Sequence, residues 1–168
     1  MKNIIFIHGL ESSGSGFKGQ FFKRMFPECL TPNFVEFNPS KSIDLLLRER
    51  MKQLNLILKE KNKWIIIGSS FGALMGTLFA CQNSKKISKL VLLAPYLSRK
   101  YLNPKLYTLI KIPVIIFHGT KDKIVPLTQS KILAEKLFIN IKYNIVNDDH
   151  YLHKTVKSLD WKKLIYDL

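Results

Sequence analysis

The chain has 168 residues, 46% of them hydrophobic and 23% charged, which excludes a disordered protein and fits a single globular domain over residues 1–168. No apolar run approaches the roughly 20 residues that a membrane-spanning helix needs, so we expect no membrane span. The net charge of +15 comes mostly from scattered lysines. Only four of the 27 basic residues are arginine, the residue favoured for recognition of phosphates and nucleic-acid bases. This composition argues against a nucleic-acid binder.

Strands and helices alternate along the whole chain. In the first half, the patterns predict a strand over 3–7, a helix near 17–25, a strand over 34–37 and a long helix capped by Ser40 or Ser42. In the middle, they predict a strand over 64–67, a helix over 73–81 and strands over 89–94 and 113–117. The last part is predicted to form a helix over 127–138, a strand over 141–146 and a final helix with Leu152, Val156, Leu159 and Leu164 on one face. Most strands are continuous apolar runs, as expected for strands buried on both faces of a parallel sheet. We therefore predict an α/β fold, a three-layer α/β/α sandwich with a mostly parallel sheet of about six strands.

Functional loops of such a sheet gather at the carboxyl ends of its strands. The strand over 64–67 runs into Gly68-Ser69-Ser70-Phe71-Gly72. The Gly-x-Ser-x-Gly spacing is that of a nucleophile elbow, a tight strand-to-helix turn that exposes a serine hydroxyl. The turn strains the backbone at the serine, and side chains two residues to either side would collide with neighbouring backbone. The pattern predicts Ser70 as the nucleophile, whereas Ser69 lacks the glycine spacing and is expected to shape the backbone.

The sequence resembles the small, lid-poor branch of the α/β-hydrolase superfamily, the serine esterase-like hydrolases, over nearly its whole length. His8-Gly9-Leu10 matches the His-Gly-x loop that follows an early strand in that superfamily. The resemblance implies a minimal α/β-hydrolase fold. It also implies an oxyanion hole formed by the main-chain N–H groups of Leu10 and of Phe71, which follows the proposed nucleophile.

Two further stretches extend the resemblance to an acid and a base. The Gly119-x-x-Asp122-x-x-Val125-Pro126 stretch matches the acid loop after the penultimate strand, and His150 follows the final strand, where the family keeps its histidine. The resemblance therefore implies Ser70, Asp122 and His150 as catalytic residues, in the chain order of this superfamily.

Other residues compete for these roles. Asp148 and Asp149 lie closer to His150 in sequence than Asp122 does, but aspartates in this setting favour turns. His153 is the rival base, one helical turn further on and expected to face solvent. The family usually has a glycine just before its histidine turn; Asn147 stands here, and asparagine tolerates the left-handed conformation.

The remaining candidates concern loops and substrate. His8 and His118 precede the glycines that open two loops, and we expect them to hold those loops by hydrogen bonds. Glu11 either orients a polar or cationic substrate group or is a solvated loop carboxylate. One further group either walls a short acyl pocket or packs over the sheet edge: Tyr96, Leu97, Tyr101, Leu102, Leu106 and Tyr107.

The implied activity is hydrolysis of a small carboxylic ester through a Ser-His-Asp acyl-enzyme mechanism. The alternatives are an acyl-thioesterase or acyltransferase, for which a basic surface suits an anionic carrier, and a non-catalytic binding protein on the same scaffold. The stretch between the strands that end at 94 and begin at 113 is too short for a helical cap, so we expect an open site and no separate cap domain.

Cofactors and location follow from what the sequence contains. Cys29 and Cys81 have no nearby Cys or His at metal-ligand spacing, and both are expected to be packed thiols. Two cysteines are too few for a disulfide framework, and the apolar run over 4–7 is too short for a signal peptide, which favours a cytoplasmic protein. We expect no metal, no organic cofactor and no partner beyond a small-molecule acyl ester; the oligomeric state is open.

Overall fold

The central sheet has five strands, all parallel, in the order β1-β2-β3-β4-β5. A computed structural model describes residues 2–167. The strands are β1 (Asn3–Ile7), β2 (Trp64–Ser69), β3 (Ile87–Leu93), β4 (Val114–Gly119) and β5 (Ile141–Val146). The predicted α/β fold with a parallel sheet is confirmed.

Helices cover both faces of the sheet. On one face lie α2 (Ile43–Leu58), α3 (Phe71–Gln82) and α4 (Leu127–Leu137), and on the other lie α1 (Phe17–Met25), α5 (His153–Ser158) and α6 (Trp161–Tyr166). A 3-10 turn over Ser84–Lys86 precedes β3. Alternate residues of β1 enter the two cores: Ile5 and Ile7 pack with the first set of helices, Ile4 and Phe6 with the second. Because both faces are covered, the central strands carry continuous apolar runs, Trp64–Ile67 in β2 and Leu90–Leu93 in β3.

The predicted strand over 34–37 is not formed. The main-chain groups of this segment pair with side chains instead of with a neighbouring strand. Phe34 N–H donates to His8 Nε2 at 3.0 Å, and Val35 N–H donates to Gln53 Oε1 at 3.0 Å. The Val35 carbonyl accepts from Arg50 Nε at 2.8 Å. With these partners in place, the segment joins no sheet.

The predicted final helix is in fact two short helices, α5 and α6. Leu159 adopts extended backbone angles and ends α5. Asp160 then caps α6, because its side chain accepts from Lys163 N–H at 3.0 Å. An aspartate that bonds a main-chain amide in this way favours a new helix start over continuation of the old helix.

The sheet brings five loops to one edge, where the strands end. Residues 8–16 follow β1, the Gly68–Gly72 turn follows β2, and residues 120–126 and 147–152 follow β4 and β5. The connection after β3, residues 95–113, contains turns but no helix. Across residues 2–167, no helix combines the length and the apolar character needed to cross a membrane.

Candidate active site

The turn after β2 holds Ser70 in a strained backbone conformation. Ser70 has φ 53° and ψ −114°, and α3 begins at the next residue. A Cβ on Gly68 would lie 2.7 Å from Ala73 Cα, and one on Gly72 would lie 2.1 Å from the Ile7 carbonyl oxygen. Both flanking glycines are therefore required by close backbone approach, as the elbow pattern predicts.

Three of the sequence-predicted residues form one hydrogen-bonded chain. His150 Nδ1 lies 2.8 Å from Asp122 Oδ2, and His150 Nε2 lies 3.0 Å from Ser70 Oγ. A carboxylate only accepts, so the ring proton is on Nδ1, which leaves Nε2 free to accept from the serine hydroxyl. Asp122 is fully buried at its side chain, and the His150 side chain is 11% exposed.

Asp122 is held as a carboxylate by several donors. Its Oδ1 accepts from the main-chain N–H groups of Ile124 and Val125, both at 2.8 Å. Burial alone would raise the pKa of Asp122, but these two bonds and the one from His150 outweigh burial and lower it. The acid loop therefore keeps a negative charge next to the His150 ring at neutral pH.

The rival residues occupy other positions. Asp148 Oδ2 accepts from both the N–H and the hydroxyl of Thr155, and Asp149 Oδ1 accepts from Tyr151 N–H. Asp149 thus bonds its own loop, and Asp148 connects that loop to α5. The His153 ring packs against that of Phe17 at a tilt of 49°, with ring centroids 4.3 Å apart, and has no hydrogen bond to Ser70, His150 or Asp122. The suggestion that Asn147 adopts the left-handed conformation is wrong; within this loop that conformation belongs to Leu152, with φ 54°.

The two predicted oxyanion donors lie beside the serine. Leu10 and Phe71 both line a cleft together with Ser70 and His150. A Cβ on Gly9, the residue before Leu10, would lie only 3.6 Å from Ser70 Cβ, so this loop runs against the elbow. In the described part of the chain neither the Leu10 nor the Phe71 N–H has a main-chain acceptor.

The cleft has a volume of about 610 Å³ and mostly apolar walls. Of the group proposed to wall an acyl pocket, Tyr96 lines the cleft, whereas Leu97 and Leu102 are buried in the core and Leu106 is exposed. Glu11 lies at the cleft as an exposed residue. Val125 of the acid-loop motif also lines the cleft, together with residues to which the sequence analysis gave no role at the site: Phe6, Ser12, Phe17, Lys18, Ile43, Ile124 and Tyr151.

The family model described as "Phospholipase/Carboxylesterase" matches residues 37–159, most of the chain. The chain belongs to the phospholipase/carboxylesterase family. Membership places it among the α/β hydrolases and supports an ester-hydrolysing activity. A search of curated proteins found no match.

Solved structures of α/β hydrolases share the fold of this family member. Est1E from Butyrivibrio proteoclasticus, solved with ferulic acid bound, aligns with a TM-score of 0.75 and 15% identity over 98% of this chain and 88% of its own. Mouse alpha/beta hydrolase domain-containing protein 10 aligns with a TM-score of 0.70 and 18% identity over 96% and 90% of the two chains. A monoacylglycerol lipase from Paleococcus ferrophilus gives 0.66 and 18% identity over 92% of each chain.

A second imidazole ring, that of His118, also lies next to Asp122 in this family member. His118 Nε2 lies 3.1 Å from Asp122 Oδ2 and 3.1 Å from the Val125 carbonyl, and its Nδ1 accepts from the Tyr143 hydroxyl at 2.7 Å. Burial lowers the pKa of His118, so the ring is neutral with its proton on Nε2. We expected His118 to hold its loop by hydrogen bonds. Its contact with Asp122 could not be predicted from the sequence, because it depends on the fold.

The cysteines of this carboxylesterase-family chain are packed thiols. Cys29 is fully buried and Cys81 is half-buried; burial raises the pKa of each thiol to about 12. Within residues 2–167, no group of three or more His, Cys, Asp or Glu side chains has the arrangement to hold a metal ion.

Proposed function

We propose that this protein is a serine hydrolase that cleaves small carboxylic esters through an acyl-enzyme on Ser70. The observation that carries the proposal is the hydrogen-bonded chain from Ser70 through His150 to Asp122, with Ser70 and His150 lining the cleft. The proposal includes a single α/β-hydrolase domain without a cap domain, because the connection over residues 95–113 contains turns and irregular segments but no helix.

The mechanism follows from the proton positions. His150 Nε2 takes the proton of the Ser70 hydroxyl as Oγ attacks the ester carbonyl carbon. Asp122 keeps the imidazole in the correct tautomer and stabilises its charged form. The N–H groups of Leu10 and Phe71 bind the oxyanion of the tetrahedral intermediate.

Collapse of this intermediate breaks the ester C–O bond, and the leaving alkoxide takes the proton from His150. Water, deprotonated by the same nitrogen, then attacks the acyl carbon; the bond between that carbon and Ser70 Oγ breaks, Oγ takes the proton back from His150, and the carboxylic acid is released.

The test is covalent labelling together with turnover. Purified protein should hydrolyse p-nitrophenyl butyrate and should be modified by a fluorophosphonate, with mass spectrometry mapping the adduct to Ser70. Ser70→Ala should lower kcat by about 10³-fold or more and abolish labelling. The matched control is Ser69→Ala, a buried neighbour that lacks the bond to His150. An adduct on Ser69, or unchanged turnover in Ser70→Ala, contradicts the role of Ser70. A wild-type protein that shows neither turnover nor labelling favours a non-catalytic binding protein.

A second observation favours substrates that carry a negative charge. Lys18, at the start of α1, lines the cleft beside the aromatic rings of Phe17 and Tyr151. Burial lowers the pKa of Lys18 to about 8, so the ammonium is still charged at pH 7. In the part of the chain that the structure describes, it forms no ion pair within contact distance, and the carboxylates of Asp148 and Asp149 attract it only at longer range. A partly desolvated cation without an ion-pair partner attracts an anionic group more strongly than a solvated surface lysine does.

Two nearly isosteric esters test this preference, 4-acetoxybenzoate and the neutral 4-acetoxybenzamide. Lys18→Gln should lower the ratio of kcat/KM between the anionic and the neutral ester by about tenfold, the effect of roughly 1.4 kcal/mol. Lys136→Gln, an exposed residue of α4, serves as the control. An unchanged ratio contradicts the role of Lys18 without affecting the role of Ser70. A short acyl-coenzyme A thioester compared with its oxygen ester then separates the thioesterase and acyltransferase alternatives from a simple esterase.

A further inference from the structure

Arg50 of α2 is a fully buried cation behind the loop after β1. Its side chain is 0% exposed, and all of its hydrogen bonds go to main-chain carbonyl oxygens. Nη1 donates to Gly9 at 3.2 Å, Nη2 to Leu10 at 2.9 Å and Nε to Val35 at 2.8 Å. Across residues 2–167, no carboxylate forms an ion pair with it. Burying a charge without a counter-charge is unfavourable. The three hydrogen bonds to main-chain carbonyls are therefore the contacts from which we infer a role for Arg50.

The bond to Gly9 acts on the peptide group that carries the Leu10 N–H. The Gly9 carbonyl and the Leu10 N–H belong to one planar trans peptide, and they point in opposite directions. His8 Nδ1 donates to the same carbonyl at 2.8 Å. Two donors on one side therefore fix the direction in which the Leu10 N–H points on the other side.

Arg50 also contacts the second proposed donor segment. Its guanidinium carbon lies 5.6 Å from the centroid of the Phe71 ring, so one side chain touches both residues whose N–H groups face Ser70 in our mechanism. Hydrogen bonds polarise one another in series, so a charged donor on the Gly9 carbonyl makes the Leu10 N–H a stronger donor. Burial lowers the pKa of Arg50 to about 10, which leaves it charged at neutral pH.

We propose that Arg50 is a positioning residue for the oxyanion hole: through the Gly9–Leu10 peptide it orients and polarises the Leu10 N–H toward the carbonyl oxygen that Ser70 activates. This inference rests on the proposed esterase function. A donor that strengthens as negative charge develops stabilises the transition state more than the bound ester. Loss of Arg50 should therefore reduce kcat far more than it raises KM.

Steady-state kinetics with three variants test the inference. Removal of one oxyanion-hole donor typically costs 10²–10³ in kcat, and we expect Arg50→Gln to lose about 10²-fold with KM changed by less than about threefold. Arg50→Lys retains the charge but has one ammonium for three carbonyls, so it should recover part of this loss. Arg48→Gln is the control, because Arg48 is an exposed residue of the same helix. Affinity for a trifluoromethyl ketone, which forms a tetrahedral adduct on serine, should fall in parallel with kcat.

A second readout does not depend on turnover. In the substrate-free protein, the ¹H–¹⁵N signal of the Leu10 amide should move in Arg50→Gln and Arg50→Lys and stay in place in Arg48→Gln. A Leu10 signal that does not move in a folded Arg50 variant overturns the inference. So does a loss confined to KM, or a kcat within twofold of wild type. Should Arg50→Gln fail to fold, Arg50→Lys decides by the same criteria. If the wild-type protein hydrolyses no ester, the proposed function fails. The Leu10 amide signal alone then decides whether Arg50 orients the Gly9–Leu10 peptide group.

Discussion

Replacement of Gly72 by alanine tests whether backbone contact with β1 holds the elbow in place. A Cβ at this position would lie 2.1 Å from the Ile7 carbonyl oxygen and 2.5 Å from that of His8. Main-chain atoms of a central strand have little room to move, so we expect the upper end of the overpacking range, about 3 kcal/mol. Alanine recovers about 1 kcal/mol through its better helix propensity, which leaves a net loss of about 2 kcal/mol. For a chain of this size, that lowers Tm by about 4–8 °C.

The control variant lies one turn further along the same helix. A Cβ on Gly76 would meet side-chain atoms only, Ile66 Cγ2 at 2.9 Å and Ile7 Cδ1 at 3.8 Å. Gly76→Ala should therefore keep Tm within about 4 °C of wild type. Because the displaced carbonyls belong to the end of β1 and to the loop that carries Leu10, Gly72→Ala should also lose ester hydrolysis by at least about tenfold. Equal melting temperatures for the two variants in calorimetry would refute the steric reasoning.

Three further predictions concern charge at the site. Asp122→Asn should lower kcat on p-nitrophenyl butyrate by about 10⁴-fold with little change in KM, since the amide favours the wrong imidazole tautomer, whereas Asp149→Asn should leave kcat nearly unchanged. Burial lowers the pKa of both His8 and His118, so the unfolded chain binds protons first as pH falls below about 6.5. The free energy of unfolding, measured in urea titrations, should therefore decrease from pH 7 toward pH 5. His118→Gln should make this dependence on pH less steep. Equal steepness in the variant and the wild-type protein would contradict the contribution of His118. Because burial lowers the pKa of Lys18 to about 8, the preference for 4-acetoxybenzoate over 4-acetoxybenzamide should decline as pH rises through about 8 and be flat in Lys18→Gln.

The Gly-x-Ser-x-Gly pattern predicted Ser70, and the resemblance to the α/β-hydrolase superfamily implied the other two residues of the hydrogen-bonded chain, Asp122 and His150. Ser70, Asp122 and His150 each follow a strand, and the carboxyl ends of parallel strands share one edge of the sheet, so their proximity follows from topology. The strand over 34–37 failed for the opposite reason. Its residues favour extended structure, but Gln53 and Arg50, which satisfy its main-chain groups, lie on a helix further along the chain. The preference for extended structure was predictable, whereas the hydrogen-bond partners were not.

The residues that sequence reasoning missed at the site bind main-chain atoms or line the cleft from a helix. A main-chain carbonyl has no sequence signature, so no pattern connects Arg50 with the Gly9 carbonyl. Lys18 looks like one more lysine among many, and its position beside Tyr151 depends on how α1 packs under the loop after β5. The sequence held one signal for Arg50. This arginine lies among apolar positions of the long helix and has no acidic residue three or four positions away.

The strong excess of positive charge shapes where buried cations find partners. The chain has 27 basic and only 12 acidic side chains. Asp122, Asp148 and Asp149 all bond main-chain N–H groups of the site loops. Arg50 and the buried Lys89 donate only to main-chain carbonyls, Lys89 to those of Leu164 and Asp167. These three aspartates thus stabilise the site loops, whereas the carboxylates that pair with lysines, those of Asp44, Glu60 and Glu135, belong to exposed pairs elsewhere. The cleft consequently retains a lysine without an ion-pair partner, which connects the overall charge of the chain to the anionic substrates proposed for its site.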